Sequence, residues 1–211
     1  SYQFYPDGTN FEGSTYYHRL SAEMVLFSTA LLLGMSDDRK KKLKESNYDL
    51  IKIKNKSLVH QNKPLQMYKF LKNSERHSVF TPFPVWYFKR VERIVEFIVD
   101  ISKPNGYLPQ IGDNDSGRFF KLKPEYQLKT VKEAKISFLN LSEYKKIPDD
   151  EIYFTEDYLN INHLKVQGYA LFNRNEFVDR IGGGEKASRL PDFTVLNSFL
   201  GDFKINLEQM N

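Results

Sequence analysis

The sequence predicts an α+β protein in which helices occupy residues 1–150 and antiparallel strands occupy residues 151–211. Three patterns predict it. Apolar side chains recur at spacings of three and four ahead of Gly34, and again between Pro84 and Ser102, as on one face of an α-helix. From about Gly168 the texture changes to alternation of apolar and polar residues, the period of a half-buried strand. Helices that precede strands, rather than alternating with them, point to an α-rich region leading into a β-region, with the boundary between Asp150 and Asn162.

Taken in order, Asp7-Gly8 and Gly13 mark a turn-rich start, after which Ser14-Thr15 opens the first helix. Its stripe is Tyr17, Leu20, Met24, Phe27 and Leu31, and Gly34 suits a left-handed stop. The far half of this helix is apolar nearly all round, as in a helix buried between neighbours. Weaker helical patterns cover residues 37–47 and 61–73, on either side of the alternating run Leu50-Ile51-Lys52-Ile53. The helix from Pro84 to Ser102 carries Val91, Ile94, Val95, Ile98 and Ile101, and Lys103-Pro104-Asn105-Gly106 ends it. One more helix is predicted over residues 130–144. Residues 169–172 and 177–181, around a turn at Arg174-Asn175-Glu176, predict a hairpin. Residues 193–200 and 203–207, separated by Gly201-Asp202, predict two further strands.

Composition narrows the function classes. A chain of 211 residues with 17 Phe and 13 Tyr can bury a substantial core, as one large domain or two small ones, and global disorder is excluded. The net charge of +4 arises from 31 basic and 27 acidic residues, and the run from Arg39 to Lys42 stands beside Asp37, Asp38 and Glu45 as on a solvated helix. Basic residues so interspersed with acids match no nucleic-acid reading motif. The absence of cysteine excludes disulfides, thiolate metal sites and cysteine nucleophiles. No run approaches the ~20 apolar residues of a membrane span, and the first residues do not resemble a signal peptide.

Two polar constellations stand out. In Asp7 to Arg19, DGTNFEGSTYYHR, the side chains of Asn10, Glu12, Ser14, Tyr16, Tyr17, His18 and Arg19 crowd beside a helix apolar enough to be buried, where polar groups need partners or a ligand. Tyr17 and His18 fall in the first helical turn, near its free N–H groups and positive dipole end. That field favours a phenolate and a neutral imidazole, which suits Tyr17 to proton exchange near neutral pH. The plainer reading makes Tyr16 and Tyr17 amphipathic core residues and His18 their satisfied partner.

The second constellation is GYLPQIGDNDSGR, from Gly106 to Arg118. Asp113, Asn114 and Asp115 can fold back on their own backbone in tight turns. A calcium loop is excluded by spacing, because Arg118 stands where the sixth-position glycine belongs and Pro124 where the twelfth-position glutamate belongs. The remaining option is a rigid rim of a cleft, whose carboxylates orient catalytic groups or bind sugar hydroxyls while Arg118 meets a substrate carboxylate.

Together, in this order and about ninety residues apart, the two segments resemble the helical domain of the heparinase II/III and alginate lyase superfamily of polysaccharide lyases. There a segment like D-G-x-x-x-E-x-S-x-x-Y-H-R enters a toroid helix, and a loop like P-Q-I-G-D-N-D-S-G-R comes after a later one. The likeness covers about residues 5–120. It implies a partial α/α toroid over residues 1–150 and the start of a β-sandwich over 151–211, acting on a uronic-acid polysaccharide by β-elimination. It implies Tyr17 as proton donor, a position that in the family is often also the base, His18 as a supporting catalytic residue, and Asn10, Glu12, Tyr16, Arg19, Asp113, Asn114, Asp115 and Arg118 as substrate-binding residues. It implies an acidic polysaccharide or oligosaccharide as partner, a periplasmic or secreted setting, and no cofactor, a structural metal being confined to further β-domain segments. The family also draws a carboxylate-neutralising Asn or His from an earlier helix and a histidine from the β-domain. Neither has a counterpart here, since residues 182–211, beginning with Gly182-Gly183-Gly184, contain no histidine and His163 matches no motif. The chain therefore resembles a portion of such an enzyme. A non-catalytic glycan-binding fragment and a glycoside hydrolase using paired carboxylates among Glu12, Asp113 and Asp115 remain as the other readings.

Overall fold

The computed structural model describes residues 3–45, 68–71, 78–113, 118–123, 126–137, 146–156 and 159–210. They form a helix-rich α+β structure. Its elements are α1 (Thr15–Gly34), α2 (Asp37–Glu45), β1 (Tyr68–Leu71), β2 (Ser78–Thr81), α3 (Val85–Ile101), β3 (Tyr126–Thr130), α4 (Val131–Ser137), β4 (Ile152–Glu156), α5 (Asn162–Phe172), α6 (Gly183–Ala187) and α7 (Pro191–Leu200). Helix α1 packs against α3, α5 and α7, and α5 packs in turn against α3 and α7. One hydrophobic cluster runs through all of them, including Leu26 and Ala30 of α1, Phe88 and Ile94 of α3, Leu164 and Leu171 of α5, and Leu196 of α7. Residues on both sides of position 150 thus share a core. No single described helix is long and apolar enough to cross a membrane.

Helix α1 is where predicted, but its buried face is not. Of the expected stripe only Phe27 is buried; Met24 and Leu31 are exposed, and the core instead receives Tyr16, Ala22, Leu26, Ala30 and Leu33. A helix apolar nearly all round gives periodicity no face to select. Gly34 also has another purpose than a left-handed stop. Its φ is not positive, and a Cβ there would collide with the Phe199 carbonyl, so the glycine lets α7 lie directly against the end of α1. In α3 the expected stripe holds: Val91, Ile94, Val95 and Ile98 are buried, with Phe88 added and Ile101 only half-buried.

The region 151–211 departs most from expectation. After β4 it is helical: the anticipated hairpin is the end of α5, a left-handed cap at Asn173, 3-10 turns at Asn175–Phe177 and Asp179–Ile181, and then α6. Residues 193–200, expected as a strand, lie in α7, and residues 203–206 have no regular structure. Short apolar runs do not distinguish a strand from a helix buried on most sides, and nearly every α5 side chain is buried. Pro191 in the first turn of α7 is the local signal for a helix start.

The strands form two antiparallel ribbons, β1 with β2 and β3 with β4. Residues 68–71, expected to be helical, are β1; the helix expected at 130–144 begins as α4, and the run at 50–53 lies outside the described residues. Leu128 pairs with Phe154 in the β3–β4 register, and one face of that ribbon carries Tyr126, Leu128, Ile152 and Phe154, which are 60% to 67% exposed.

Candidate functional site

The first turn of α1 and the loop after α3 are built around one another. Ser14 caps α1: its Oγ accepts the N–H groups of Tyr16 and Tyr17, both at 3.2 Å, and its hydroxyl donates to the Asp113 carbonyl at 2.6 Å. Thr15 donates its N–H to the Ile111 carbonyl at 3.1 Å and its hydroxyl to the Pro109 carbonyl at 2.8 Å, and accepts the Ile111 N–H at 3.2 Å. Gly112 has φ +72°, and a Cβ there would meet the Gly13 carbonyl, so glycine is needed for this approach. The other end of the loop is fastened by a Tyr107–Asn160 bridge and by the Leu108 N–H, which donates to the Leu159 carbonyl just ahead of α5. Both sequence constellations therefore share one junction.

Tyr17 stands partly exposed there, and its hydroxyl donates to Asp113 Oδ2 at 3.2 Å. The residues flanking it face inward. Tyr16 is buried, accepts from Gln110 Nε2 at 3.2 Å, and carries the guanidinium of the fully buried Arg19 over its ring at 4.9 Å. His18 is buried between Phe4 and Phe97, and its Nε2 lies 3.2 Å from the Ile94 carbonyl. A carbonyl only accepts, so Nε2 carries the proton and the ring is a neutral donor. Burial pushes the His18 pKa down to about 4, opposed by that hydrogen bond. Because the first turn of α1 is sandwiched between the loop and α3, Tyr16 and Arg19, expected to bind substrate, and His18, expected to support catalysis, are buried there.

Asn10 and Glu12 are also away from the junction. Asn10 is buried in a turn, where its Oδ1 accepts the Glu12 N–H at 2.9 Å, and the exposed Glu12 accepts from Gln3 at 3.5 Å. Asn114 and Asp115 lie outside the described residues.

Arg118 does not hang free on a rim. Its Nη2 donates to the Phe120 carbonyl at 2.9 Å and to Glu23 Oε1 at 3.3 Å, while Glu23 Oε2 accepts the Phe119 N–H at 2.6 Å. Glu23 is fully buried and so fastens residues 118–120 to α1. His163 Nε2 stands 3.8 Å from Glu23 Oε1. Burial, with Arg118 and Arg19 nearby, holds His163 well below the ordinary imidazole range, so it is neutral. Beside this group opens a cavity of about 550 Å³, whose walls include Arg118, His163, Arg180, Lys186 and Asp192. Burial pushes the Asp192 carboxyl up, while a hydrogen bond from Gln167 Nε2 at 2.8 Å and the charge of Arg118 pull it down.

Glu23, His163 and Asp192 are functional candidates that the sequence patterns do not single out. The available signal is an ionisable residue inside an apolar helix, since a carboxylate such as Glu23 among Ala22, Val25 and Leu26 must find a buried cation. Among the described residues no three His, Asp or Glu side chains are grouped to hold a metal ion. Chemically, the junction offers a phenol already bonded to a carboxylate, and the cavity offers positive charge. No protein-family model, curated protein or solved structure matches this chain.

Proposed function

We propose that this chain is a portion of a polysaccharide lyase that cleaves a uronic-acid polymer by β-elimination, with Tyr17 as the proton-transferring residue. The observation that carries this reading is the Tyr17–Asp113 hydrogen bond, which joins the two segments on which the lyase resemblance rests. Tyr17, oriented by its hydrogen bond to Asp113, first gives up its resting proton to solvent. The phenolate then removes the proton on the carbon beside the sugar carboxylate. That electron pair forms the new C=C bond as the glycosidic C–O bond breaks, and Tyr17 delivers the abstracted proton to the departing oxygen. An α/α toroid and a β-sandwich are the architecture this proposal expects of the complete enzyme.

The test is to incubate the chain with several uronic-acid polymers and follow the ultraviolet absorbance of the unsaturated product. Turnover should appear with at least one polymer, and Tyr17→Phe should lower it by about 10² to 10⁴-fold with folding intact. Undiminished turnover in that variant would overturn the assignment. The burial of His18 favours a second reading, binding without cleavage, because among the described residues it leaves the phenol and carboxylate without an adjacent accessible imidazole. Saturable polymer binding with no absorbance change supports that reading, and cleavage without a double bond would indicate a hydrolase.

A further inference from the structure

The cavity beside Arg118 is built from different residues than the Tyr17 junction, since neither Tyr17 nor Asp113 lines it. Four cationic side chains, Arg118, Lys123, Arg180 and Lys186, converge on it from separate parts of the chain. Two helices also begin at its wall: Asn162 and His163 are the first residues of α5, and Pro191 and Asp192 are the first of α7. Neither helix has a side-chain hydrogen-bond cap from its N-cap residue, although the Asn160 side chain accepts the Asn162 N–H at 2.9 Å and Asp192 places a carboxylate in the first turn of α7.

A second, independent feature is a pair of buried polar atoms without hydrogen-bond partners in residues of its wall. His163 is more than nine-tenths buried, and its Nε2 has no hydrogen-bond partner among the described residues, the Glu23 carboxylate being too far at 3.8 Å. Arg118 Nε is buried and unpartnered too, although Nη2 of the same guanidinium is engaged. Polar atoms withdrawn from water without partners are costly, and both belong to residues of the cavity wall. Among the described residues of the lining Asp192 is the lone carboxylate, and Gln167 and Arg118 already occupy its charge. At about 550 Å³ the space has the size of small-molecule sites.

We infer that this cavity is a binding site for a small ligand bearing an oxyanion, a phosphorylated or carboxylated molecule of about sugar size, separate from the Tyr17–Asp113 junction. The inference does not require Tyr17 to be catalytic. Its test is calorimetric titration of the whole chain at low ionic strength with inorganic phosphate, with glucuronate, and with glucose 6-phosphate. Saturable one-to-one binding of at least one probe is expected, and the preferred probe separates phosphoryl from carboxylate recognition. Arg180 and Lys186 are exposed, so the double variant Arg180→Gln, Lys186→Gln should stay folded, and should weaken binding by about tenfold or more. Asp192→Asn, which keeps the shape and removes a negative charge, should strengthen binding several-fold, a gain that loss of folding cannot mimic. Tyr17→Phe should leave the affinity unchanged. Absence of saturable binding for all three probes would overturn the inference, as would equal affinity in the parent, the double variant and Asp192→Asn.

Discussion

At the residue scale, two buried histidines, His18 and His163, should make the protein acid-sensitive. His18 is neutral when folded, with a pKa near 4 against 6.5 for a free side chain, because burial disfavours its cation. The unfolded chain therefore takes up a proton that the folded chain refuses. The stabilisation is complete above about pH 6.5 and is lost as pH falls toward 4, by on the order of 3 kcal/mol for His18 alone. His163 acts in the same direction, since its pKa is also lowered. Urea midpoints should decline between pH 7 and 4.5, and His18→Phe should flatten part of that slope; a slope unchanged in the variant would remove His18 as its source. Arg174 makes a different prediction. It bridges Glu92 and Glu96 of α3 at 2.9 and 2.6 Å and stacks on Phe177, but it is partly exposed. Arg174→Ala should cost only about 1 kcal/mol, less at high salt, as read from denaturation midpoints.

At the element scale, Ser14 concentrates the most structure in the least mass. Ser14→Ala removes the α1 cap together with the donor to the Asp113 carbonyl, and should cost about 1 to 2 kcal/mol in chemical denaturation. If Tyr17 is the proton-transferring residue, activity should suffer beyond that, since the junction would loosen. Gly34→Ala should destabilise by about 1 to 3 kcal/mol because its Cβ has to displace the Phe199 carbonyl and α7 with it. The contrast between these glycine and serine positions also separates what is legible in a sequence from what is not. Ser14 reads as a helix start because capping is local chemistry, and the α3 stripe reads correctly because a helix with one apolar face declares it. Gly34 reads as a helix stop when its reason lies on α7, far along the chain. Likewise the end of α5 reads as a strand because burial on most sides erases the helical period, and α7 because a short apolar run fits either element. Tyr17 and Asp113 both stand out in sequence, while the buried Glu23–Arg118–His163 group depends on three segments meeting and leaves almost no trace in any one of them.

At the scale of the whole molecule, the shared cluster predicts a single cooperative unit. Leu26→Ala in α1 and Leu196→Ala in α7 remove fully buried side chains from the same core. Each should cost about 2 to 5 kcal/mol and lower one common transition, seen alike by circular dichroism and by the fluorescence of Trp86 on α3. Two separated transitions, each moved by only one of the variants, would instead support division near position 150.

The bond from Ser14 to the Asp113 carbonyl closes a span of 99 residues. Closing a flexible span of that length costs roughly 4 kcal/mol of chain entropy, and contacts so distant in sequence are slow to form. Helix α1, held by local bonds, can wind before Tyr17 meets its carboxylate. In refolding, the helical signal should therefore rise first and the Tyr17–Asp113 contact should form after it, so that the junction serves as a clock for completion of the fold.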